Sequence, residues 1–180
     1  GQCSLCPAGT NQPNSGATVC ITCPPGTAQP SRGSTDCTPC TPGSYQQMSS
    51  SAACNLCPRG TYMPFPGATS CAPCPSRQFA PSLGAIMCDV CEPNTNSTTG
   101  ADACLMCETG TFRASTTVEA SQSTCIACLQ DTRCPVNATL ATIVLEPGYW
   151  RHSMATSELW RCKTNGDWTP CRGGGDMGSE

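Results

Sequence analysis

Apolar positions in this chain are sparse and scattered. The longest largely apolar run extends only from Leu140 to Leu145, and no stretch of 18 apolar residues exists to cross a bilayer. Elsewhere apolar residues return singly, in step with cysteine pairs. Cys-x-x-Cys pairs begin at Cys3, Cys20, Cys37, Cys54, Cys71 and Cys88, each 17 residues after the last. The next begin at Cys104, after 16 residues, and at Cys125, after 21. Chance does not hold six pairs in strict phase, so an internal repeat organises the chain.

Other residues keep the same phase. Pro7, Pro24, Pro58 and Pro75 directly follow the second cysteine of their pairs, and Gly9, Gly26, Gly43, Gly60 and Gly110 sit two places further on. Thr10, Thr27, Thr61, Thr95 and Thr111 come next, and the position after that holds Tyr45, Tyr62, Phe79 and Phe112. A second glycine recurs as Gly16, Gly33, Gly67, Gly84 and, one residue early, Gly100. Pro-x-Gly fixes a turn, with proline setting φ and glycine allowing φ > 0. The Thr-aromatic stretch favours a short strand, and the second glycine returns the chain to the next pair.

The pattern predicts a small disulfide-rich fold, mostly irregular with short β-strands and almost no helix. Stacked units make an elongated tandem-repeat rod whose contacts run mostly between sequence neighbours. Each aromatic is expected to pack on a neighbouring disulfide; a ligand-stacking platform is the alternative. Asn11, Ala28 and Asn96 stand in the aromatic slot of three units, which are expected to be looser there or covered otherwise.

Composition explains why such a chain needs staples. Leu, Ile, Val and Phe together number only 20 of 180 residues, a fraction that by itself reads as disorder. The chain has 19 cysteines, a density that marks a disulfide scaffold. Closing a loop of about 15 residues contributes roughly 3 kcal/mol by restricting the unfolded chain.

Charge says little about partners. The net charge is −3, and no basic patch suggests nucleic acid. Residues 1–88 carry one acid, Asp36, against three arginines, whereas residues 89–180 carry 11 acids against six bases. That step suggests a change of module near residues 88–91.

Paired Cys-x-x-Cys motifs also fit a zinc ribbon. One lysine, 41 serines and threonines, 17 prolines and a single histidine favour a secreted disulfide framework without metal or cofactor. Eight tandem redox-active pairs would be hard to keep reduced and individually tuned. The simplest pairing joins the second cysteine of each pair to the first of the next: Cys6–Cys20, Cys23–Cys37, Cys40–Cys54, Cys57–Cys71, Cys74–Cys88, Cys91–Cys104 and Cys107–Cys125. Cys128–Cys134 and Cys162–Cys171 follow, and Cys3 is left for an upstream repeat. An interleaved scheme, Cys3–Cys20 with Cys6–Cys23 and onward, is the rival. With no initiator Met and no signal-peptide pattern, the chain reads as a processed or ordered part of a longer secreted protein.

The phrase Cys-x-x-Cys-Pro-x-Gly-Thr-Tyr-x(4)-Gly-x(3)-Cys-x-x-Cys, seen almost whole from Cys54 to Cys74, resembles the ephrin-receptor-like cysteine-rich repeat. It is also similar to the first submodule of TNF-receptor cysteine-rich domains, where the loop closes on a cysteine 14 positions later. Cys57 and Cys71 have that separation, so the resemblance implies the sequential pairing. It covers residues 3–128 and thins between 88 and 124. Such repeats occur in receptor ectodomains and in large surface proteins of protists and algae. The tail from Cys134 through Pro147-Gly148-Tyr149-Trp150-Arg151 to Cys171 looks like the segment that follows the repeats in those large proteins.

The sequence therefore divides into repeats over 1–128 and a C-terminal module over 129–180 that holds all three tryptophans. That module reads as a small β cap, with Tyr149, Trp150, Trp160 and Trp168 as a candidate contact surface for a neighbouring subunit. Asn96-Ser97-Thr98 and Asn137-Ala138-Thr139 are N-glycosylation sequons, and the Ser/Thr/Pro content is compatible with O-glycans. No catalytic constellation appears, and His152 reads as a surface residue rather than a base. The expected role is a non-enzymatic extracellular or cell-surface module: a rigid spacer or fibril element that self-associates or binds other surface proteins. A receptor stalk or ligand-binding ectodomain is the alternative, and a zinc-bound intracellular scaffold the third reading.

Overall fold

A computed structural model describes residues 4–113 and 125–162. Among the described residues there is no helix, and every strand is two or three residues long. The chain divides into two compact units: residues 1–90 with 98–103, and residues 91–97 with 104–180.

The first unit is built from loops closed by Cys6–Cys20, Cys23–Cys37, Cys40–Cys54, Cys57–Cys71 and Cys74–Cys88, each spanning 14 residues. We number them loops 1 to 5. The connectivity is sequential, from the second cysteine of one pair to the first of the next. In each loop the turn after the second cysteine leads into a two-residue antiparallel pairing. In loop 1, Thr10 pairs with Thr22 and Asn11 with Ile21; the same register recurs as Thr27↔Pro39, Ser44↔Leu56 and Thr61↔Pro73.

The conserved-phase threonine closes the turn twice over. In loop 2 both the backbone N and Oγ1 of Thr27 donate to the Pro24 carbonyl, at 3.2 and 2.7 Å. Ser44 does the same to Thr41, and Thr61 to Pro58. The hydroxyl supplies a local acceptor-seeking donor at the residue where the turn must stop and the strand begin.

Three backbone hydrogen bonds join each loop to the next. Gly26 N donates to Gln46 O at 2.7 Å, Gln29 N to Ser51 O at 3.1 Å, and Ser50 N back to Cys23 O at 2.9 Å. The set repeats at Gly43, Gln46 and Gly67, and again at Gly60, Met63 and Gly84. The packing also reaches beyond sequence neighbours. A Cβ placed on Gly9, Gly26, Gly43 or Gly60 would stand 2.0–2.3 Å from the carbonyl oxygen of Ser50, Gly67, Gly84 or Gly100 respectively. Those oxygens belong to the chain two loops ahead, so the first glycine is where alternate loops touch backbone to backbone.

A glutamine ladder, absent from the expectations above, holds loops 1 to 3 in shape. Gln12, Gln29 and Gln46 each span their own loop: Nε2 donates to the carbonyl of Val19, Asp36 or Ala53, and Oε1 accepts from the backbone N two residues on. Gln29 and Gln46 are 9% and 6% exposed, so both ends of a buried amide are satisfied, as burial requires. Gln46→Ala strands Met48 N and Ala53 O and is expected to cost about 2 kcal/mol. Denaturant unfolding checks this; a loss below about 0.5 kcal/mol, typical of an inert surface position, would discard the ladder as a stabilising device.

The second unit holds the disulfides Cys91–Cys104, Cys107–Cys125 and Cys128–Cys134, with separations of 13, 18 and 6 residues. Its small apolar core gathers Phe112, Cys134, Ala138 and Ile143, with Cys128, Leu129 and Leu140 packed against it. Thr111–Arg113 pairs antiparallel with Cys125–Ala127 and parallel with Ala138–Thr139, the one three-stranded sheet among the described residues.

The hairpin of the repeat recurs twice more toward the C-terminal end of the described residues. Thr132–Arg133 pairs with Val144–Leu145, and Tyr149–Trp150 with Trp160–Arg161. Leu145 and Cys162 follow Cys128 at steps of 17, and Cys162 N donates to Gly148 O at 2.8 Å as Cys23 N does to Gly9 O. The 132–145 hairpin is shifted by one residue: Leu145 is buried and pairs with Thr132 itself, and Glu146 N donates to Asp131 O at 3.0 Å where the hairpins of loops 1 to 4 use the second cysteine.

Candidate functional site

The candidate glycosylation and contact residues fall in the second unit. Cys3, Cys171 and Trp168 lie outside the described residues, and with them the Cys162–Cys171 pair. Asn96 ends a two-residue strand opposite Met106, is half-buried, and its Oδ1 accepts from Ser97 N at 2.8 Å. Asn137 is exposed on a turn at φ +59°. Its N donates to Cys107 O at 2.8 Å, and its Oδ1 lies 3.4 Å from Arg113 Nη2. The left-handed conformation suits asparagine better than most side chains and sets the sequon at a turn.

Tyr149, Trp150 and Trp160 do not form one surface. Trp150 and Trp160 are directly paired across their hairpin, and Tyr149 is paired with Arg161. Paired residues share a face and neighbours alternate, so the tryptophans stand together on one side and Tyr149 on the other. Trp150 is 44% and Trp160 54% exposed, whereas Tyr149 is half-buried.

The Tyr149 hydroxyl donates to the Asp131 carboxylate. That bond first, then burial and the nearby negative charge, raise its pKa above the ordinary 10.0, against a smaller opposing pull from Arg161. Because the folded-state value is raised, the bond stabilises the fold fully below pH 10 and is lost as pH climbs through the raised value. Asp131→Asn is expected to move one phenol in an ultraviolet absorbance titration to lower pH. A titration curve identical to the parent's would rule this contact out.

Arg151, the next residue, turns inward again. It is buried, with Nη1 donating to Leu140 O and Nη2 to Ala141 O at 3.0 Å, and desolvation lowers its pKa. It pins the 140–141 segment above the Phe112 cluster. Nothing in the sequence pattern marked it as an anchor. His152 beside it is exposed.

The aromatic slot points at disulfides in two loops. Asn11 Oδ1 lies 3.4 Å from Cys37 Sγ, and Asn11 Nδ2 donates to Thr35 O at 2.8 Å. Phe112 packs in the cluster that contains Cys134. Ala28, in the slot of loop 2, is buried, while Tyr45, Tyr62 and Phe79 are half-buried. Asn11 thus bridges loops 1 and 2.

Two stretches, residues 1–36 and 32–70, match the model of a family described as tyrosine-protein kinase ephrin type A/B receptor-like. The N-terminal part of the chain is similar to the ephrin-receptor-like cysteine-rich repeat. No curated protein matches the chain. The matched residues cover loops 1 to 3 and nearly all of loop 4, where the glutamine ladder, the Thr-capped turns and the three inter-loop bonds are found. Disulfide-bonded cysteines have no thiolate to offer a metal, and disulfides at this density belong to an oxidising compartment. No described helix is long and apolar enough to cross a membrane.

Proposed function

We propose that this chain is an extracellular structural and adhesive module of a cell-surface glycoprotein or fibril, acting as a rigid spacer and assembly element. The observation that carries the reading is the bonding of the first unit. Each loop is stapled internally, and loops 1 to 4 are each tied to the next by three backbone hydrogen bonds and wedged against the chain two loops ahead at their first glycine. Such coupling resists bending and leaves side chains free for surface chemistry.

The C-terminal residues 129–180 serve in this reading as the module that makes contacts, through the Trp150–Trp160 face, with another copy or another surface protein. Glycans on Asn96 and Asn137 coat the sides, and no enzymatic step is assigned. The likeness to a receptor-derived repeat favours one alternative, a stalk or ligand-binding region of a cell-surface receptor.

Electron imaging of the native material tests assembly directly: filaments or ordered arrays are expected, and dispersed single particles would favour the receptor reading. Intact mass before and after enzymatic N-glycan release tests Asn96 and Asn137. An unchanged mass removes both from the proposal.

A further inference from the structure

The inter-loop bonds leave an unpaired copy of themselves on the outer face of loop 1. In the following loops the second-glycine amide donates to a cysteine carbonyl of the preceding loop: Gly33 N to Cys6 O, Ser50 N to Cys23 O, Gly67 N to Cys40 O and Gly84 N to Cys57 O, all at 2.8–2.9 Å. Two carbonyls beside it accept from the same preceding loop, Gln29 and Ser34 in loop 2 and Gln46 and Ser51 in loop 3. The equivalents in loop 1 are Gly16 N, Gln12 O and Ala17 O, 17 residues earlier, and none of the three has a partner among the described residues. A Cβ on Gly16 would meet nothing within 4 Å, whereas one on Gly33 would meet the Leu5 side chain at 2.8 Å and one on Gly84 the Leu56 side chain at 3.2 Å. Gln12 is half-exposed where its counterparts Gln29 and Gln46 are buried.

We propose that the donor and two acceptors at Gly16, Gln12 and Ala17 form a docking edge for one more cysteine loop of this 17-residue type, presented from the N-terminal side of the same polypeptide. The edge is specific in geometry: a donor flanked by two acceptors at the spacing that loops 2 to 5 already use. Unpaired backbone groups of this kind template strand-like pairing with a matching chain. Cys3 supplies the covalent half of the match. It is the first member of its pair, and the first members Cys20, Cys37, Cys54, Cys71 and Cys88 are each bonded to the cysteine 14 residues before them.

The test places a copy of residues Ile21–Asp36 directly before Cys3 in the full chain, which sets one new cysteine 14 residues ahead of Cys3. Amide exchange at Gly16 is expected to slow at least about tenfold, and peptide mapping to show Cys3 joined to the added cysteine. The Gly33 amide, already bonded to Cys6 O, reports that the stack is intact. Should that extension disturb Gly33, a copy of Asn55–Ser70 in the same place asks the same question with another loop. A formed disulfide with Gly16 exchange unchanged overturns the proposal. So does slow Gly16 exchange in the unextended chain that appears only in a concentration-dependent dimer, which would make a second copy the occupant.

Discussion

Gly43→Ala is expected to destabilise the oxidised protein by about 2–5 kcal/mol. The added Cβ would lie 2.2 Å from Gly84 O and 2.9 Å from Gly84 C, at a residue whose φ is +78°. Both atoms are backbone, so no side chain can swing away. Relief requires loops 3 and 5 to separate, which strains the Gly43 N to Met63 O and Cys57 N to Gly43 O bonds that stand between them. Overpacking alone costs typically about 1–3 kcal/mol, and the left-handed backbone of an L-residue adds about 1–2 kcal/mol.

Gly110→Ala separates the two contributions. Its φ is +85°, but a Cβ there meets nothing within 4 Å, so only the backbone term applies, about 1–2 kcal/mol. The molecule carries its own precedent: Arg77, Asn94 and Asp131 occupy the same turn position with φ of +67°, +68° and +60°. Positive φ is therefore tolerable at this turn. The close approach between alternate loops is what a Cβ cannot meet. Guanidinium unfolding of both variants under oxidising conditions decides the matter, and equal losses would show that alternate-loop contact contributes nothing.

Reduction is expected to unfold the chain, and chelation to leave it unchanged. Each 14-residue staple restricts the unfolded ensemble by about 3 kcal/mol, while the apolar cluster of the second unit comprises one aromatic ring and a few aliphatic side chains. A core that small cannot offset the ordering of the loops, at about 1.5 kcal/mol per residue. Replacing one staple alone, Cys57→Ala with Cys71→Ala, is expected to cost about 3 kcal/mol from the loop and more from the cavity left at Cys57, which is fully buried. Circular dichroism and amide exchange, with and without dithiothreitol or a strong zinc chelator, read the outcome. Retained structure after reduction and alkylation, or collapse with the chelator, would overturn a fold held by disulfides.

The repeat was legible because its causes are local. Cysteines at 17-residue steps, the Pro-x-Gly turn and the following threonine act within one loop, where short-range sterics and a 14-residue closure decide the shape. The staples Cys6–Cys20 to Cys107–Cys125 were the simplest pairing and the one the family resemblance implied, but the interleaved pairing fitted the cysteine spacing as well, so the structure decided between them. Gln12, Gln29 and Gln46 also recur at steps of 17, a signal present in the sequence. Its meaning depends on which carbonyl and amide each side chain meets inside a closed loop. Asp131, Arg77 and Asn94 hid the turn because each replaces its marker glycine with a side chain that tolerates φ > 0 in open surroundings.

By itself the sequence determined a cysteine-stapled array of period 17 with turns after each pair and a change of character toward the C-terminal end. Only the tertiary structure decided why four glycines must lack a Cβ, since the atoms that exclude it lie about two repeats away along the chain. It alone showed Leu145 buried opposite Thr132 in a hairpin shifted by one residue, Arg151 buried against two carbonyls, and Tyr149 facing away from Trp150 and Trp160. Those outcomes follow from backbone groups of separate loops meeting at fixed distances, a consequence of stacking that residue spacing within one loop does not contain.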